Sequence, residues 1–161
     1  MAAQVKQNSI FDFEDFSYGR KFGMLGKLYL AELAKNLKHL EIEKQFSVLV
    51  LLDKMGSQCS QKLIGEMLHI DKAMMVGVID DLSKKGFIKR AQNPNDRREY
   101  WVQLTEKGKT HMPEILSTVR RLNKSIMKGL TQTEVKKFHD QLETIYKNLY
   151  GSIPAGKDIS K

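Results

Sequence analysis

Between residues 60 and 104 the apolar spacing changes from that of helices to that of strands, and this change constrains the fold most strongly. Two short segments, about 60–68 and 72–85, carry apolar side chains three and four residues apart, as amphipathic helices do. Residues 87–91 and 100–104 are then rich in aromatic and β-branched side chains, which is typical of strands. A polar stretch with turn formers separates those strands. Two short helices followed by a β-hairpin predict a winged helix-turn-helix.

Longer helical patterns flank this central part. Residues 10–38 predict a first helix, 43–55 a short apolar one, and 106–129 and 132–150 the last two. Their apolar stripes exceed what a small lobe can cover, so burial against a second copy of the chain is the economical solution. The predicted fold class is mainly α: a winged helix-turn-helix with a small β-hairpin wing and long N- and C-terminal dimerisation helices.

Four parts follow from this pattern. We expect an N-terminal dimerisation helix at 1–40, a winged-helix lobe at 41–108, C-terminal dimerisation helices at 109–150 and a flexible tail at 151–161.

Capping signals predict several helix ends. Asp71 and Thr105 are natural N-caps, and Thr131 with Glu134 has the spacing of a capping box. Gly86 suits the left-handed position that closes a helix.

The chain is basic, with 27 Lys and Arg against 19 Asp and Glu and a formal net charge of +8. Such a charge favours polyanionic partners, either nucleic acid or an anionic membrane surface. No apolar run approaches the roughly 20 residues that span a bilayer, and the first residues lack the pattern of a secretory signal. Cys59, the only cysteine, cannot form a disulfide within the chain and fits a reducing compartment. We therefore expect a cytoplasmic protein with no membrane partner.

Enzyme motifs are absent from the sequence. It contains no G-x-S-x-G, no phosphate-binding glycine loop and no paired nucleophile and base. Metal-ligand spacings such as HxxxH and CxxC are also missing. We expect no catalysis, no cofactor and no metal.

Three runs, in this order, resemble the MarR family of bacterial transcriptional regulators: LSKKGFIKR at 82–90, NDRR at 95–98 and LTEKG at 104–108. The resemblance extends over about residues 20–150. It implies a triangular dimer in which the first, fifth and sixth helices associate. It also implies binding of pseudo-palindromic operator DNA as a homodimer, usually to repress transcription, and frequent relief of that binding by a small ligand or an oxidant.

The resemblance places the second short helix in the major groove, where it would present Lys72, Ala73, Val76 and Gly77. Only Lys72 brings a strong donor for guanine or phosphate, whereas Ala73 and Val76 can touch a thymine methyl. So few polar side chains predict modest direct readout, with DNA shape supplying much of the specificity. On the same helix, Met75 belongs to the apolar stripe that should pack inward. Met74 can add an apolar contact to the DNA, but methionine at this spacing is more often core than contact, so we expect it in the core.

The hairpin tip carries Asp96, Arg97 and Arg98, which match the family's D-x-R motif at Asp96 and Arg98. The resemblance implies that Arg98 enters the minor groove, Asp96 orients its guanidinium and Arg97 contacts phosphate. The alternative is an ordinary solvated loop. Lys62 and Arg90 are candidate phosphate contacts, which position a protein without specifying sequence.

Aromatic residues of the first helix offer a candidate effector site. Phe16, Phe22 and Tyr29 can line a cleft for a phenolic or other aromatic ligand, and the alternative is dimer or core packing. Cys59 is a weak redox candidate, because thiol-sensing members of the family carry their cysteine in the first helix. A different function also stays open: a winged-helix dimer that binds a small molecule or a protein without any operator. Arg97 and Arg98 argue against it.

Overall fold

The computed structural model describes residues 13–42, 45–56, 59–93 and 100–152. Two 3-10 turns, Phe13–Asp15 and Lys38–Leu40, lie on either side of the first helix. The elements in chain order are α1 (Tyr18–Asn36), α2 (Phe46–Met55), β1 (Cys59–Ser60), α3 (Gln61–Leu68), α4 (Lys72–Lys84), β2 (Ile88–Gln92), β3 (Tyr100–Leu104), α5 (Glu106–Ile126) and α6 (Gln132–Gly151).

The strands form an antiparallel sheet in the order β1-β3-β2. β2 and β3 pair from Ile88 opposite Leu104 to Gln92 opposite Tyr100. The predicted winged helix-turn-helix and its hairpin are therefore confirmed. β1 was not predicted, because two residues are too few to show a strand alternation. It pairs Cys59 with Val102 and closes the sheet's other edge.

The core lies inside the winged-helix lobe, where α2, α3 and α4 meet the sheet, the end of α1 and the first half of α5. Its fully buried members come from almost every element of the lobe, so the lobe completes its core within one chain. The largest are Leu33, Leu37, Ile42, Leu49, Leu52, Ile64, Met75, Ile79, Leu82, Phe87 and Ile115.

The predicted caps are confirmed. Asp71 accepts a hydrogen bond from the Met74 amide at 2.8 Å, and Thr105 accepts one from the Gly108 amide at 3.1 Å. Thr131 and Glu134 form the complete capping box. Gly86 has the expected positive φ of 74°.

Two boundary predictions were wrong. The first helix begins at Tyr18, because the Ser17 side chain caps it and a 3-10 turn precedes it. Phe16 therefore lies before α1 and not on it. α5 ends at Ile126 and not near 129, since Gly129 has a left-handed φ of 96°. On α3, Met67 follows Leu63 by four residues, a spacing that predicts an inward side chain, and yet it is 47% exposed.

The outer helices, defined as α1 before Leu33, α5 after Leu122, and α6, contribute almost nothing to the core. α6 has no buried residue at all. It touches the lobe near its end, where the stacked rings of Tyr146 and Tyr150 lie 6.3 and 5.8 Å from the ring of His69, between α3 and α4.

Candidate nucleic-acid interface

The turn between α3 and α4 is tight and is fixed by the backbone. His69 ends α3 in the left-handed conformation, with φ 51°, and the Ile70 amide donates to the carbonyl of Gly65 at 2.9 Å. A Cβ at Gly65 would lie only 3.1 Å from the Ile70 carbonyl oxygen. The glycine thus permits the close approach that holds α4 at its angle to α3.

α4 is amphipathic, and its core side is well anchored. Met75, Ile79 and Leu82 are buried, and by helical periodicity these three positions share one face. The predicted major-groove residues are all exposed, among them Val76 at 39%. Met74 is 61% exposed, so the prediction that it belongs to the core was wrong. Its neighbour Met75 occupies the inward position, and one residue further round a helix is a rotation of about 100°.

The two basic candidates beside α4 differ in how they are held. Arg90 on β2 donates through Nη2 to Asp80 Oδ1 of α4 at 2.6 Å, and both side chains are partly exposed. This pair joins the start of the wing to the helix. Lys62 on α3 is mostly exposed, with Glu66 at a distant 3.8 Å. Its ammonium group is therefore available to a phosphate, whereas Arg90 would have to share its charge with Asp80.

Two of the three motif runs hold the wing to α5. The Thr105 hydroxyl donates to the Gly86 carbonyl at 2.6 Å, and the Thr105 amide donates to the Phe87 carbonyl at 3.0 Å. A Cβ at Gly108 would collide with the Phe87 carbonyl oxygen. These motif residues therefore have a structural role in the lobe, which the capping pattern predicted for Thr105 and Gly86 but not for Gly108.

The hairpin-tip residues Asp96, Arg97 and Arg98 lie outside the described residues, between the end of β2 and the start of β3. Their DNA contacts stay a prediction.

A large open groove lies between the outer helices. It has a volume of about 1800 Å³ and a mostly apolar lining that includes Leu25, Leu28, Leu122, Ile126, Phe138 and Leu142. Of the three predicted effector residues, only Tyr29 lines this groove. Its hydroxyl donates to Asn123 Oδ1 at 2.8 Å, and burial raises its pKa. Phe22 packs beside Tyr18 on α1, and Phe16 is half-buried before that helix.

Cys59 is buried in the short strand β1, with its Sγ 3.5 Å from Sδ of Met55. Burial raises the pKa of its thiol. A reactive thiol needs the opposite shift, so this environment favours a packing role.

Among the described residues no group of three or more His, Cys, Asp or Glu could hold a metal. His39 instead pairs with Glu114 of α5, Nε2 to Oε1, at 2.8 Å.

Known proteins resemble this chain in both sequence and fold. The family model for the MarR family matches residues 43–100. The transcriptional regulator BilQ of Clostridioides difficile is 28% identical over 97 residues, which are 60% of this chain and 65% of that relative, just under two thirds of its length. The transcriptional repressor YetL of Bacillus subtilis is 24% identical over 132 residues, covering 76% of this chain and 79% of YetL.

Solved structures of regulators have the same fold as this chain. A putative MarR-family regulator from Listeria monocytogenes, complexed with a 26mer DNA, superimposes with a TM-score of 0.76 at 26% identity, covering 83% of this chain and 89% of that one. CouR from Rhodococcus jostii RHA1, bound to p-coumaroyl-CoA, superimposes with a TM-score of 0.71 at 24% identity, covering 83% of this chain and 94% of that one. At this identity the match shows a likeness of fold. Residues 43–100 thus match the MarR family model, and the chain shares the fold of MarR-family transcriptional regulators.

Proposed function

We propose that this protein regulates transcription by binding a pseudo-palindromic operator as a homodimer, with α4 in the major groove and the hairpin tip in the minor groove. The observation that carries the proposal is the outward face of α4. Lys72, Ala73, Val76 and Gly77 are exposed there, on a helix whose opposite face is locked into the core. The structurally similar Listeria regulator is complexed with DNA, which supports the same use of this fold here.

Charge supports a DNA partner. Lys72 and Lys84 are exposed on α4, and Lys62 and Lys89 are exposed on α3 and β2 beside it. Basic side chains that neutralise phosphates release condensed counterions, which gives an affinity that falls steeply with salt. We expect Lys62 and Arg90 to position the lobe on the backbone and the outward face of α4 to supply the sequence preference.

The outer helices support a dimer. Both α1 and α6 carry apolar stripes that stay exposed in a single chain: Leu28 of α1 is 66% exposed, and Leu149 of α6 is 59% exposed. An amphipathic helix whose apolar stripe stays exposed calls for a partner surface. We propose that 1–40 and 109–150 associate with a second copy, that 41–108 reads DNA and that 151–161 is a tail.

An aromatic effector is proposed for the groove near Tyr29. CouR is bound to p-coumaroyl-CoA, and in this chain the Tyr29 hydroxyl and Asn123 form a polar pair in a mostly apolar lining. Phe16 and Phe22 stay predicted contributors.

Repression is the expected sign of regulation, as YetL is a repressor. No helix in the described ranges is long and apolar enough to cross a bilayer. We expect a regulator that acts in the cytoplasm without catalysis.

Selection of bound sequences from a random duplex library tests the central proposal. At about 150 mM salt, where non-specific phosphate binding is suppressed, an inverted repeat should be enriched. Its half-sites should lie about one helical turn of DNA apart. A purified dimer that enriches no repeat would contradict operator binding, and would favour the alternative of a module that binds a protein or a small molecule.

A further inference from the structure

The outward face of α4 is unusually apolar for a surface that contacts DNA. Met74 is 61% exposed and Val76 is 39% exposed, with Ala73 and Gly77 also exposed. On this face near the helix start, Lys72 alone carries a strong hydrogen-bond donor. Exposed apolar side chains of this size are unfavourable in water, so the face should gain free energy from contact with an apolar group.

Gly77 has no explanation within the chain. A Cβ at Gly77 would meet no heavy atom within 4 Å, whereas a Cβ at Gly65 would lie 3.1 Å from the Ile70 carbonyl oxygen. Glycine inside a helix costs about 1 kcal/mol relative to alanine. Internal packing therefore accounts for Gly65 and not for Gly77. Three glycines of α1 are equally open, and Gly77 differs from them in lying on the face that the proposed function turns towards DNA.

These residues form one hollow. Ala73 and Gly77 are four residues apart and lie on one side of the helix, opposite the buried Met75 and Ile79. Met74 and Val76 lie on the two sides of that line, about 160° apart round the axis by helical periodicity. By periodicity, two small residues are thus flanked by an exposed apolar side chain on either side, and we call this patch of surface the α4 hollow.

We propose that the α4 hollow (Ala73, Met74, Val76 and Gly77) receives thymine methyl groups in the major groove, and that Met74 is a specificity-determining residue of the operator. The inference rests on the proposed function. The thymine methyl is the apolar group that base pairs present in that groove. Methionine is flexible and polarisable, so it can pack around a methyl. Gly77 lets the helix backbone approach the bases, and the lysines around α4 draw the phosphates to it.

The test removes methyl groups from DNA without changing base pairing. Each thymine of the selected operator is replaced by deoxyuridine, symmetrically in both half-sites, and the dissociation constant is measured. Burial of one methyl contributes about 0.8 kcal/mol, so replacement in both half-sites should weaken binding about 5- to 15-fold at one or two positions and leave the others unchanged. Met74→Ala should reduce that penalty to less than about 2-fold at its own position, because the methyl loses its contact.

Two further variants sharpen the test. Met67→Ala removes a methionine of similar exposure from α3 and should leave every deoxyuridine penalty as in the wild type. Gly77→Ala should raise the melting temperature, because alanine favours the helix, and should weaken operator binding at least about 5-fold, because the Cβ fills the hollow.

The outcomes separate two failures. An enriched operator with no deoxyuridine penalty, or with the same penalty in Met74→Ala, would overturn the role of the hollow and leave operator binding intact. If no operator is enriched, both proposals fall, and the alternative of a module that binds a protein or a small molecule is favoured.

Discussion

The winged-helix lobe and the outer helices solve the burial of apolar side chains in opposite ways. In the lobe, residues that are distant in sequence, such as Leu33, Leu49 and Ile115, are fully buried against one another. In the outer helices, Leu28 and Leu149 are mostly exposed, and α6 buries nothing. The same chain thus contains one region that is complete alone and one that is incomplete alone.

This difference assigns different kinds of stability to the two regions. A core formed within the chain is stable at any protein concentration, whereas a surface buried only on association is stabilised by mass action. The contacts between the regions are few among the described residues of α6, and the His69–Tyr150 ring contact is one of them. Substitutions can therefore test each region separately.

The largest effect is expected from charging the outer helices. A double change, Leu28→Lys with Leu149→Lys, should yield a monomer with an intact lobe, because both side chains are already exposed in one chain. A monomer engages one half-site, so operator affinity should fall by about 10²- to 10⁴-fold. Sedimentation and operator titration check this.

The control adds the same charge beside the proposed interface. Asn148→Lys, at an exposed polar position of α6, should leave both the dimer and the affinity as they are. A double variant that still sediments as a dimer would refute the assignment of these faces to a second copy.

A smaller effect is expected from a cavity in the lobe. Leu49 is fully buried in α2, and Leu49→Ala should lower the free energy of unfolding by about 2–5 kcal/mol. That loss should be the same at every protein concentration in denaturant titrations. Leu149→Ala, by contrast, should destabilise the protein more at high concentration, where association stabilises the wild type, than at low concentration, where both proteins are monomers. If the two variants show the same concentration dependence, the contrast between the regions fails.

The sequence also predicts the structure of the lobe more completely than that of the outer helices. Periodicity and caps located the lobe's helices and hairpin, since local signals such as Asp71 and Gly86 act within a few residues. The helical spacing correctly placed Met75 in the core but wrongly assigned Met74 to it as well, because both fit a helical spacing and the choice depends on tertiary packing. Local patterns also missed the ion pair between Arg90 and Asp80, which are ten residues apart on different elements. For the outer helices the sequence predicted apolar faces, and the groove near Tyr29 follows only from how three helices meet.

The wing arginine should have a smaller effect than these substitutions, and its removal should change DNA binding without changing the packing of either region. Arg98→Ala should weaken operator binding at least about tenfold and leave the dimer intact, since a planar cation suits the narrow minor groove. Arg97→Ala, its matched control, should lower affinity for all sequences alike and reduce the salt dependence by about one counterion. An unchanged titration for Arg98→Ala would contradict the wing assignment.

The smallest effect concerns the start of α6, which depends on its cap because it lacks buried side chains. Hydrogen bonds from the Thr131 backbone amide and hydroxyl lower the pKa of the Glu134 carboxyl. A carboxyl whose pKa is lower in the folded state stabilises that state above its unfolded pKa, and this contribution is lost as pH falls through the folded value. Glu134→Ala should therefore lower the melting temperature most near about pH 7 and least near about pH 3. Glu134→Gln keeps a neutral hydrogen-bonding partner and should fall between the two at neutral pH. A melting difference that stays constant across this range would show that the charge of Glu134 does not stabilise α6.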